Sequence, residues 1–174
     1  MKIWNVQSDL VRGRNVTVAR FLVAFALLNL LWETGQLPFY TLWRDGTWTE
    51  IAVAIVHCTA GDILIGAVTL ASVLLVVGRH WPETFSARAT VAVAFVVVGL
   101  GYTIYSEWHN VVVRKSWTYS DLMPILPPFG TGLAPTLQWM LVPLLAFWLA
   151  RGPFKCANNP NEVASNPIST PGRY

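Results

Sequence analysis

The chain has 174 residues, 54% of them hydrophobic and only 12% charged, with a mean hydropathy of +0.48. A soluble domain usually carries about 25% charged residues, so this composition excludes an ordinary globular protein and points to a membrane. The net charge of +3 does not indicate a nucleic-acid partner, because the basic residues are scattered over the connections and form no patch.

Residues 1–20 carry Lys2, Arg12, Arg14 and Arg20, with Ile3, Val6 and Leu10 on one helical face and Trp4 beside them. That pattern predicts a cytoplasmic N-terminal segment lying along the inner interface as a short amphipathic helix. The apolar run that follows ends in Leu31, Trp32 and Glu33, not in the small residues of a signal-peptide cleavage site. It therefore reads as a retained membrane helix. Four segments are apolar and long enough to cross about 30 Å of hydrocarbon: residues 21–42, 51–77, 89–113 and 133–150. The fold expected for residues 21–150 is an all-α integral membrane four-helix bundle.

The first two connections are short, and Pro82 stops helix continuation in the second. The third, residues 114–132, is long and broken by Pro124, Pro127, Pro128, Gly130 and Gly132, yet apolar in places. Non-helical backbone at membrane depth survives only where it is buried in protein or lines a cavity. Met123 to Gly132 is therefore expected to fold back and cap the outer end. The tail, residues 151–174, is rich in Asn, Pro and Ser and is expected to be disordered. Of the twelve Lys and Arg, all but Arg44, Arg114 and Lys115 fall on one side of this arrangement. The positive-inside rule then places both termini in the cytoplasm and the chain in an inner (plasma) membrane.

The polar residues inside these segments carry the functional information, because each is costly in hydrocarbon. At 1.5 Å per residue, Glu33 and Gln138 lie roughly 12 Å below the outer face, His57 roughly 9 Å and Asp62 roughly 16 Å. Glu107 and His109 lie near the outer interface. The inner half is almost purely apolar. Segregation of this kind is expected of one shared polar cavity in the outer half. Helical phase agrees: Glu33, Gln36 and Tyr40 share a face at i, i+3, i+7, as do Thr103, Glu107 and Asn110. Glu33, His57 and Asp62 are the candidate catalytic groups, since carboxyl and imidazole side chains exchange protons near neutral pH. Gln36, Tyr40, Glu107, His109, Asn110 and Gln138 are candidate lining residues, with Gln138 as interhelical glue. Trp43, Trp48, Trp108, Trp117 and Tyr119 read as an outer aromatic belt. Cys58 reads as a packing residue.

No cofactor is predicted. Glu33, His57, Asp62, Glu107 and His109 form a mixed O/N set that a metal accepts, but no HxxxH or ExxH pair puts two ligands on one helical face. The leading functional expectation is an acid–base enzyme working on a lipid-soluble substrate. The alternatives are a proton, ion or small-solute transporter, and an accessory subunit of a larger membrane complex. The partners expected are membrane lipids, a lipid-soluble small molecule, and a second subunit under the last alternative.

Overall fold

The computed structural model describes residues 2–77 and 81–151, residues 2–10 as backbone only. The expected C-terminal tail and the apolar face of Ile3, Val6 and Leu10 therefore lie outside what is described. Helix α1 spans Lys2–Gln36, α2 is one turn at Leu42–Asp45, α3 spans Trp48–Val77, α4 Phe85–Glu107 and α5 Leu133–Leu149. Three helical stretches are long and apolar enough to cross a membrane, Val11–Phe39, Trp48–Val77 and Phe85–Val113, and α5 is a shorter apolar helix. This architecture is compatible with an all-α membrane bundle. α1 packs on α3 and α5, and α4 packs on the same two, so the four helices close a ring.

The ends of the helices have local causes. α1 runs unbroken through residues 2–36, so the N-terminal segment is continuous with the first apolar helix rather than a separate element. Gly13 lowers helix propensity by about 1 kcal/mol without stopping the helix. Pro38 stops it: a 3-10 turn at Leu37–Phe39 follows, then Tyr40 in extended conformation. α3 starts at a capping box, in which the Thr47 N–H and hydroxyl both donate to Glu50 Oε2 at 2.8 Å. α4 starts four residues before the expected apolar boundary, because the Thr84 hydroxyl caps it by accepting from the Ala87 N–H. Its last turn, Trp108–Val113, widens to π-helical winding.

The long third connection is tied down at several points. Tyr40 pairs with Tyr119 in an isolated antiparallel bridge. Thr41 N donates to Thr118 O at 3.0 Å, and Ser120 N to Phe39 O at 2.9 Å. Beyond it, β1 (Ile125–Leu126) and β2 (Thr131–Gly132) form a small antiparallel hairpin that packs against α4 and α5.

Away from these connections the ring is filled by aromatics. Phe21, Phe25 and Phe95 are essentially inaccessible. Phe25 and Phe95 meet edge-on at 5.7 Å, and Phe25 meets Trp139 at 5.8 Å. Such pairs add about 0.5–1.5 kcal/mol each beyond area burial. Two glycines make this packing fit. A Cβ on Gly66 collides with the Phe25 ring, and a Cβ on Gly99 collides with the Trp139 indole. Small residues at helix contacts matter in lipid, where association relies on close packing rather than on expulsion of water.

Gly99→Ala is therefore expected to destabilise the protein by about 1–3 kcal/mol through overpacking. Gly101→Ala, whose Cβ meets nothing within 4 Å, should leave thermal stability unchanged. Melting of both variants in nanodiscs checks the contrast; equal behaviour would refute the seating of Trp139 on Gly99.

Candidate functional site

Above the aromatic layer, at the end where α1 and α4 finish and α3 and α5 begin, the ring encloses a cavity of about 340 Å³. That is within the usual size of small-molecule sites, about 300–1,000 Å³. Its floor is organised by one residue. Gln138 is 2% exposed, and its Nε2 lies 2.9 Å from Asn29 Oδ1, 2.9 Å from Glu33 Oε1 and 2.8 Å from Asp62 Oδ2. An amide nitrogen carries two hydrogens, so three oxygens share two donors. The Glu33 and Asp62 oxygens both touch this one atom and so stand within roughly 6 Å of each other.

Gln36, one turn above Glu33, donates from Nε2 to Glu33 Oε1 at 2.8 Å and to Gln138 Oε1 at 3.4 Å. Its own Oε1 has no partner among the described residues. Asn29 closes the cluster below, donating to the Phe25 carbonyl at 2.8 Å. α1 thus contributes Asn29, Glu33 and Gln36, a stripe at i, i+4, i+7, and Tyr40 reaches the cavity from the extended segment beyond it.

The second polar group sits on α4 and the third connection. The Tyr119 hydroxyl donates to Glu107 Oε2 in a short hydrogen bond and accepts from Gly132 N at 2.9 Å. Burial, then the Glu107 carboxylate, raise the Tyr119 pKa well above the ordinary tyrosine value, so its hydroxyl stays a donor. The Trp117 indole N–H lies near the Glu107 carboxyl but makes no hydrogen bond among the described residues. Asn110 Nδ2 donates to the Ser106 carbonyl at 2.9 Å.

Glu33, His57 and Asp62 all border this one cavity, together with Gln36, Tyr40, Glu107, Asn110 and Gln138. His57 differs from the other two in being exposed. It stands at the edge of the cavity on α3, and Tyr102, also exposed, lines it from α4. His109 is not part of the wall. It points away and stacks on Tyr105 at 5.8 Å, because two residues of helix turn it from the face of Glu107. Met123–Gly132 packs on α4 and α5 but does not border the cavity; Met123 lies beside Gly132, and Trp117 is the part of the connection that reaches the cavity. No three His, Cys, Asp or Glu side chains converge as a metal-ligand set among the described residues.

Asn29 is a neighbour of the site that the sequence reading overlooks, and Trp117 and Tyr119, read there as part of an outer aromatic belt, stand at the site instead. Asn29 had a signal, since it extends the Glu33, Gln36, Tyr40 stripe one turn back. Trp117 and Tyr119 had none, since their position depends on the path of an irregular connection.

Gln138→Leu should destabilise the protein by about 1–3 kcal/mol or more, because it leaves buried oxygens of Asn29, Glu33 and Asp62 without their donor. A melting curve matching the parent would contradict the hub. Tyr119 gives a pH dependence. Its folded pKa is raised, so its contribution to stability is complete below the unfolded value of about 10 and declines above it, as the unfolded chain ionises first. Tyr119→Phe should therefore flatten the alkaline decline in unfolding experiments.

No protein-family model, curated protein or solved structure matches this chain, so its function rests on the site itself.

Proposed function

We propose that this chain is a multi-pass membrane protein that performs acid–base chemistry on a lipid-soluble molecule held in the cavity. The observation that carries the reading is the pair of acids, Glu33 and Asp62, on one Gln138 nitrogen at the cavity floor. Two carboxyls this close can act on one bound molecule, one as general acid and the other as general base. His57, at the cavity edge, is suited to relay the proton to water. Tyr119 and Trp117 present donors around Glu107 and orient the outer part of a bound molecule.

The cavity edge between His57 on α3 and Tyr102 on α4 supports sideways entry from the lipid. The aromatic layer of Phe21, Phe25, Phe95 and Trp139 supports an enzyme over a conduit, since a conduit needs polar groups in both halves. α5, at 17 residues, is at the short end of a membrane span, roughly 17–25 residues. The Lys/Arg distribution supports cytoplasmic termini, with the cavity in the outer half.

Organic extracts of purified protein, examined by mass spectrometry, should contain a small molecule enriched over bulk lipid. Asp62→Asn and His57→Ala should keep the fold but alter the ratio of its substrate and product forms to the substrate side. Extracts indistinguishable from bulk lipid would sink the reading. For orientation, single cysteines placed at Asp45 and Arg114 in a Cys58→Ser, Cys156→Ser background should label from outside cells. Those placed at Glu83 and Arg151 should label only after permeabilisation. The reverse pattern would invert the topology.

A further inference from the structure

The wall of the cavity has an unbalanced chemistry. Glu33, Asp62 and Glu107 border it, and among the described residues no Lys or Arg does. The donors these carboxyls receive, from Gln36, Gln138 and Tyr119, are all uncharged. One more acceptor is waiting. Gln36 is 6% exposed, and its Oε1 is buried with no partner among the described residues. Its orientation is not arbitrary. The amide nitrogen faces two acceptors, Glu33 Oε1 and Gln138 Oε1, which leaves the oxygen as the end without a donor. A buried acceptor without a donor in a roomy polar site is a place for a ligand's N–H or O–H.

An anionic head is disfavoured beside three carboxyls and an unpaired carbonyl. Between an uncharged and a cationic donor, the rest of the wall decides. Tyr40, Tyr102, Trp117 and Trp139 also border the cavity, and aromatic faces attract cations. Resting on the proposed reading of this cavity as the substrate site, we infer that its substrate is a lipid-soluble amine, bound as the ammonium ion. The nitrogen donates to Gln36 Oε1 and to the Glu33–Asp62 pair, and the apolar remainder lies along the α3–α4 side.

The ammonium ion supplies the donors that Glu33 and Asp62, sharing one Gln138 nitrogen, lack. The other titratable groups around the cavity are Tyr40, His57, Cys58, Tyr102 and Glu107, and from α5 the facing group is the uncharged Gln138.

The test uses the full chain in phosphatidylcholine nanodiscs, with empty nanodiscs as the reference. Octylammonium, octanol and octanoate are titrated calorimetrically. Octylammonium should bind, and octanol should bind at least about tenfold more weakly; octanoate should not bind. Asp62→Asn should weaken the amine by about tenfold or more. Gly61→Leu fills space where a Cβ meets nothing within 4 Å, so it should block binding with melting unchanged. If octanol or octanoate binds as tightly as octylammonium and Gly61→Leu abolishes it, the amine inference is overturned while the cavity remains a ligand site. If no probe binds above the empty nanodisc, or Gly61→Leu changes nothing, both the inference and the reading beneath it fall.

Discussion

The structure depends on a shortage of hydrogen-bond donors. Asn29, Glu33 and Asp62 bring side-chain oxygens from two helices to one point, and a single amide nitrogen from a third helix answers them. Ionisable groups at that depth are costly when left facing lipid. The position of α5 is therefore dictated by where Gln138 must stand. Gly132 starts that helix in extended conformation, and the Gly132 N–H is already held by Tyr119. The connection that delivers α5 and the hub that α5 carries are thus parts of one hydrogen-bonded assembly.

The residue after Gln138 belongs to the other half of the molecule. Trp139 lies on Gly99 and meets Phe25 and Phe95, while its chain neighbour binds the acids. Polar and aromatic layers are therefore adjacent along one helix, with no slack between them. Pro143, fully buried one turn below, has no N–H to offer the Trp139 carbonyl. The hydrogen-bond ladder of α5 is interrupted beside the boundary between the layers, where a rigid helix has the least freedom to adjust its two faces together.

Much of this was legible in the sequence because helix rotation is a fixed rule. Apolar length placed the long helices, and i, i+3 spacing put Glu33 and Gln36 on one face, whereas Tyr40 lies beyond the helix end that Pro38 sets and lines the cavity from extended backbone. Boundaries were less legible where a polar cap, not hydropathy, sets the start, as at Thr84 and at the Thr47–Glu50 box. Gln138 was visible as a contact but not as a hub, because a hub is defined by three partners up to 109 residues away. The roles of Tyr119 and Trp117 depend on an irregular path between Arg114 and Gly132, and no periodicity encodes such a path. His109, read as a lining residue from its depth near the outer interface, stacks on Tyr105 and does not line the cavity, because depth along a helix does not fix the face.

The aromatic layer of Phe21, Phe25, Phe95 and Trp139 lies beneath the polar floor of the cavity, and the exposed His57 and Tyr102 mark its edge on α3 and α4. If a substrate enters and leaves by that edge, as the proposed function has it, product and substrate contend for one vestibule, and accumulated product acts as a competitive inhibitor. The same aromatic layer separates the cavity from the opposite end of the helices, so on that reading turnover would not draw on a membrane potential.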